Sequence, residues 1–72
     1  MAIKNKLLEI RLNNGYKYAK KFSDYLEINN QQYSRYESNK KQPNLEILYK
    51  ISKKLGIKIE DIIYFEEDQL KN

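Results

Sequence analysis

The run Ile28-Asn29-Asn30-Gln31-Gln32-Tyr33-Ser34-Arg35-Tyr36-Glu37-Ser38-Asn39 decides how this chain is read. As a helix it has two unlike faces. Tyr33 and Tyr36 sit three apart and, with Ile28 just ahead, make an apolar side. Asn30, Gln31, Ser34 and Arg35 point the other way. That outer face holds amides, a hydroxyl and a guanidinium, with no acid, whereas ordinary solvent faces mix Lys and Glu. Long amides and Arg are the side chains that pair bidentately with adenine and guanine edges in the major groove of DNA. Asn29 suits the N-cap, with Gln32 at capping-box spacing. The same pattern also fits a plain polar surface helix.

The flanking stretches supply a core. Residues 3–13 predict a first helix, with Ile3, Leu7, Ile10 and Arg11 at helical spacing and Leu8 at the margin. Gly15 is placed to end it in the left-handed conformation. Arg11 lies on or beside the apolar stripe, where an Arg either snorkels to water or pairs with an acid. Glu37 is the one acid of the central stretch, and a partly buried pair with it would be bidentate and fix how the first and third helices meet. Residues 18–26 predict a second helix on Ala19, Phe22 and Leu26, with Lys17, Lys20 and Lys21 clustered at its start. Glu27-Ile28-Asn29 is short enough to force a sharp turn, and Ile28 suits a plug in its corner.

Ser38 to Asn44 reads as a loop. Pro43 turns Gln42 away from helix, and Asn44 is a good N-cap for the fourth helix. Lys40-Lys41 is either a solvated pair or a phosphate contact. Residues 45–55 predict the clearest amphipathic helix, with Leu45, Leu48, Ile51, Ser52 and Leu55 on one face and Gly56 as its cap. Ile57, Ile59, Ile62, Ile63 and Phe65 predict a short fifth helix over 60–65, whose first turn carries Glu60 and Asp61. Residues 66–72 read as a polar, frayed tail, leaving one domain over 1–65.

Composition narrows the function classes. Seventy-two residues make one small domain with a thin stability margin. The chain has no Cys and no His, which removes thiolate and imidazole metal sites and the commonest general base. With no Gly-rich phosphate loop, an enzyme is not expected, nor is a cofactor or small-molecule ligand. No apolar run approaches a membrane span, so no membrane partner is expected, and the expected location is cytoplasmic. Residues 1–58 hold 13 of the 14 basic side chains against five of the ten acids, a balance of +8; residues 59–72 hold one base against five acids, −4. A basic body with an acidic tail suits a polyanion on one side.

Five short helices with a tight second-to-third turn and a polar third helix is the plan of a helix-turn-helix DNA reader. The run from Leu26 to Lys40, then Gln42-Pro43-Asn44-Leu45 and Ile51-Ser52-Lys53-Lys54-Leu55-Gly56-Ile57, resembles the Xre-like family that includes the phage repressors and Cro. The likeness covers residues 3 to about 65. It implies an all-α fold, a compact five-helix lambda-repressor-like domain. It also implies base contacts from Asn30, Gln31 and Arg35, with Gln32 and Ser34 as further candidates. Phosphate contacts would fall on Asn29, Ser38, Asn39, Lys40 and Lys41, and near the second helix start on Lys17, Tyr18, Lys20 and Lys21. The family's Arg–Glu pair falls on Arg11 and Glu37.

This chain departs from the family at three places. The phosphate-anchoring Gln that usually opens the second helix is Ala19, one residue further from Gly15 than usual, so Tyr18 or Lys17 takes over. The small residue against which the third helix packs is Ser23, whose hydroxyl needs a partner such as the preceding turn's carbonyl. The usual Gly after the reading helix is Asn39, which tolerates the left-handed region.

The resulting expectation is a bacterial or phage-encoded regulator that reads double-stranded DNA through the major groove. It would act as a repressor and a homodimer on a palindromic operator, with Ile59, Ile63, Tyr64 and Phe65 as the dimer surface. An antitoxin or adaptor that uses the same domain to bind a protein is the alternative. A single-strand or RNA binder stacking on the seven tyrosines is a further one.

Overall fold

The computed structural model describes residues 2–67. Among them, strand β1 (Ala2–Asn5) leads into helices α1 (Leu7–Asn13), α2 (Ala19–Leu26), α3 (Asn30–Glu37) and α4 (Leu45–Leu55). A 3-10 turn (Ile59–Asp61) and strand β2 (Ile63–Glu66) complete the order.

Helix ends are set where the local signals lie. The Asn29 carboxamide oxygen accepts from the Gln31 and Gln32 amides at 2.9 and 3.1 Å, and that of Asn44 accepts from Ile47 at 2.9 Å. Both replace partners that the first helical turn lacks. Gly56 closes α4 with φ +66°, and Gly15 lies just past α1 with φ +83°. Between α2 and α3 the chain turns on Glu27, which takes φ +61°, and Ile28 fills the corner at 8% exposure.

The core gathers one residue or more from each helix. Leu7, Phe22, Leu26, Tyr33, Ile51 and Ile62 are wholly buried. Tyr33 meets Phe22 edge-on at 5.8 Å between ring centroids, a favoured aromatic geometry. Ser23 lies buried where α2 and α3 approach, and its hydroxyl donates to the Lys20 carbonyl at 2.9 Å. The small side chain lets the helices close, and the preceding turn satisfies its hydroxyl.

Two expectations give way, so the fold is mostly helical rather than all-α. The first helix begins at Leu7, because residues 2–5 are extended. The fifth helix over 60–65 is replaced by the 3-10 turn and β2, which pairs antiparallel with β1. Ala2 faces Glu66, Ile3 faces Phe65, Lys4 faces Tyr64 and Asn5 faces Ile63. β-Branched and aromatic side chains fit such a ribbon better than a one-turn helix. The Lys6 amide continues the pairing, donating to the Ile62 carbonyl at 2.7 Å. Leu45 also departs from expectation: it is 73% exposed, while Leu48 and Ile51 carry the buried face of α4. Of the proposed tail, Glu66 ends β2, and residues 68–72 lie outside the described residues. No helix among the described residues is long and apolar enough to cross a membrane.

The left-handed Glu27 is the conformational weak point of the turn, since a Cβ costs ~1–2 kcal/mol in that region. Its one ion pair among the described residues, to Lys54 at 3.4 Å, is exposed and worth little. Glu27→Gly is therefore expected to raise the midpoint of thermal unfolding by a few degrees, measured by circular dichroism. A lower midpoint would show that the backbone there is not strained.

Candidate nucleic-acid interface

The third helix is anchored from inside and bare outside. Tyr33 and Tyr36 are buried beneath it. Gln31, Ser34 and Arg35 are exposed, and among the described residues their side chains make no hydrogen bond or ion pair within the chain. An amide, a hydroxyl and a guanidinium thus stand free on one helical face, with both donors and acceptors available to a base edge.

Asn30 and Gln32 differ from that pattern. The Asn30 amide nitrogen donates to the Ser23 hydroxyl at 2.5 Å and to the Asp24 carboxylate at 3.2 Å, so its donor is committed to α2. The Asn30 contact, with Lys20 second, holds the Asp24 carboxyl below the usual carboxylate range. Gln32 is half-buried, and its carbonyl oxygen is shut from solvent without a donor.

A polar network fixes α3 to the body. The Arg11 Nε donates to the Glu37 carboxylate at 2.7 Å, with Nη2 near its other oxygen at 3.4 Å. The Tyr33 hydroxyl donates to the same carboxylate at 2.8 Å. Burial, and next the Glu37 carboxylate beside it, push the Tyr33 phenol far above the ordinary tyrosine range, so it remains a donor. The Arg11 Nη1 donates to the Tyr16 and Lys17 carbonyls at 3.0 and 2.5 Å. One guanidinium therefore joins α1, the approach to α2, and α3.

The cationic candidates ring this helix at two places. Lys17 and Tyr18 are exposed just before α2, with the Lys17 ammonium 5.6 Å from the Tyr18 ring. Tyr18 occupies the N-cap of α2 without capping it by side chain, and Lys20 pairs with Asp24 at 3.2 Å on the surface. Lys21 is exposed on the same turn. Beyond α3, Lys40 and Lys41 are exposed, and their backbone amides donate to the Arg35 carbonyl at 3.0 and 3.3 Å.

The polar side chains near that second cluster are already engaged. The Ser38 hydroxyl donates to the Arg35 carbonyl at 3.2 Å. Asn39 sits at φ +63°, and its carboxamide oxygen accepts from the Asn5 amide at 2.8 Å and from Gln42 at 2.9 Å. Asn29 spends its carboxamide oxygen on capping α3.

A helix-turn-helix family model matches residues 7–62, spanning all four helices. The chain belongs to that family, the Xre-, Cro- and CI-like helix-turn-helix proteins. As a member of the helix-turn-helix family it is a DNA-binding transcription regulator, with double-stranded DNA as its partner. Searches of curated proteins and of solved structures each returned no match.

Within the helix-turn-helix frame, sequence reasoning missed Asn5, Gln42 and the Tyr33 hydroxyl. Asn5, one residue before the Lys6 N-cap, satisfies the first amide of α1, since its carboxamide oxygen accepts from the Leu7 amide at 3.0 Å. An Asn two residues before an apolar periodic run was the available signal for it.

Removing one member of the Arg11–Glu37 pair strands the other in a site where the side chains are only 10% and 15% exposed. Arg11→Ala and Glu37→Ala should each lower stability by about 2–3 kcal/mol in urea unfolding. The double variant should lose less than the sum by ~1–3 kcal/mol. Strict additivity would deny the pair any coupling.

Proposed function

We propose that this chain is a repressor that binds its operator sequence-specifically through the major groove, with the domain over 1–65, continued by the paired Glu66 of β2, as reader. The bare Gln31–Ser34–Arg35 face of α3 carries this reading: a surface without internal partners or acids is suited to base edges. Arg35 donates to a guanine, and Gln31 reads adenine or a neighbouring pair. Asn30 offers its carboxamide oxygen while its nitrogen stays on α2, and Ser34 and Gln32 lie within the same footprint. Lys17, Tyr18, Lys20 and Lys21 on one side, and Asn29, Ser38, Lys40 and Lys41 on the other, flank the groove as phosphate contacts, whereas the Asn39 side chain is engaged by Asn5 and Gln42. The lysines among them supply the salt-sensitive, sequence-blind part of the affinity.

A domain this small makes few base contacts, and a homodimer on a palindrome doubles them, with half-sites ~34 Å apart. Of the expected dimer surface, Ile59 and Ile63 pack partly against the core, whereas Tyr64 and Phe65 are 41% and 53% exposed. Ile3, opposite Phe65 in the ribbon, is also exposed and shares that face, whereas Tyr64 lies on the other face beside Lys4. Repression follows by occlusion of a promoter in the cytoplasm.

Selection of bound sequences from random duplex DNA, at a stated salt concentration, tests the reading directly. The parent should enrich one palindrome. Arg35→Ala should lose that preference, each lost bidentate contact being worth ~1–3 kcal/mol, while weak salt-sensitive binding persists. Recovery of the same sequence by Arg35→Ala would remove Arg35 from the base contacts. For the dimer, Phe65→Lys should shift sedimentation equilibrium toward monomer with the circular dichroism spectrum kept. An unchanged association constant would place the interface elsewhere.

A further inference from the structure

Asn5 is 5% exposed and ends β1, well away in sequence from the reading helix. Its polar groups are used on two other segments besides its own. Its side-chain nitrogen donates to the Tyr36 carbonyl and to the Gln42 carboxamide oxygen, each at 2.7 Å. Its backbone amide donates to the Asn39 carboxamide at 2.8 Å, and its carbonyl accepts from the Asn39 side chain at 3.4 Å. Gln42 closes the ring by donating to Asn39 at 2.9 Å. Three carboxamides, with the Asn5 backbone completing the link to Asn39, thus form a closed hydrogen-bonded cluster at the C-terminal end of α3.

The segment they hold is the one that carries Lys40 and Lys41. Those lysines extend into solvent, yet their backbone is pinned from both sides: by the Arg35 carbonyl behind and by Asn39 and Gln42 on Asn5. A phosphate contact gains from a donor whose position is fixed before binding, because less ordering remains to be done. Asn39 contributes to this more as a strut than as a ligand, since both its nitrogen and its oxygen are engaged.

We propose that Asn5, Asn39 and Gln42 are positioning residues that hold Lys40 and Lys41 in register with the phosphate backbone, making β1 part of the DNA-binding machinery without touching DNA. This rests on the operator-binding reading above. It predicts that loosening the cluster weakens the sequence-blind contacts while leaving base choice intact.

Asn39→Gly is the main test, because φ +63° suits glycine and the backbone is kept while both side-chain links are lost. Asn5→Ser is the second variant: a hydroxyl still caps the Leu7 amide but cannot reach Tyr36 or Gln42. Two readouts are taken. In the free protein, amide hydrogen exchange at Lys40 and Lys41 should accelerate at least tenfold in both variants, with exchange in α2 and α4 unchanged for Asn39→Gly. On DNA, affinity for the selected operator should fall about tenfold. The slope of log affinity against log salt should become shallower by about one to two, as expected when that many phosphate contacts are lost. The enriched sequence should stay the same. A merely structural role would lower the melting temperature and leave the slope alone. Unchanged exchange at Lys40 and Lys41, or an unchanged salt slope, overturns the proposal. If the parent itself enriches no duplex sequence, the operator-binding reading fails instead, and the exchange data still decide whether the cluster fixes the loop.

Discussion

A guanidinium that is nine-tenths buried cannot be left without a carboxylate, and the arrangement of this domain turns on how Arg11 meets that demand. Glu37 neutralises it at the C-terminal end of α3, and the Tyr33 hydroxyl shares the same carboxylate. The remaining guanidinium donors reach the Tyr16 and Lys17 carbonyls. A planar fork with fixed donor directions specifies angles as well as distances. The pair therefore sets the tilt of the reading helix against α1 and the path of the chain into α2 together. A hydrophobic contact of the same area would hold the helices near each other without choosing that orientation.

The reading helix is left polar by division of labour. Its inward face carries two tyrosines that supply area to the core, and on its outward face Gln31, Ser34 and Arg35 have no side-chain partner among the described residues. Asn30 is the intermediate case. Its nitrogen belongs to α2 through Ser23 and Asp24, which ties the first residue of α3 to the helix before it. An anchored first residue beside free side chains at Gln31 and Arg35 suits a helix that must be placed before it can discriminate.

Much of this was legible in the chain because it is local. Asn29 and Asn44 cap helices by reaching two or three residues ahead, and Gly15, Gly56 and Asn39 take left-handed backbone that their own side chains permit. Arg11 and Glu37 were legible for another reason: each is the charge that fits least well where it stands. The ribbon was not, because Ile3 and Phe65 meet across most of the sequence, and the short run Ile63-Tyr64-Phe65 also satisfies helical spacing with Ile59 and Ile62. Leu45 misled for a similar reason. It lies at the first position of α4, where the helix has just begun and the core does not reach. The capture of Asn30 by Ser23, and of Asn39 by Asn5, depends on tertiary approach, which no periodicity encodes.

The β1–β2 ribbon also differs from the helices in what its closure costs. α2 and α3 meet across a three-residue turn and can pair early, whereas joining Ile3 to Phe65 closes a loop of about 60 residues at an entropic cost of roughly 3–4 kcal/mol. Strand pairing therefore draws on the helix packing that shortens that loop. Asn5 lies at the end of β1, so its hold on the Lys40–Lys41 segment shares that dependence, which the pairing of α2 with α3 does not.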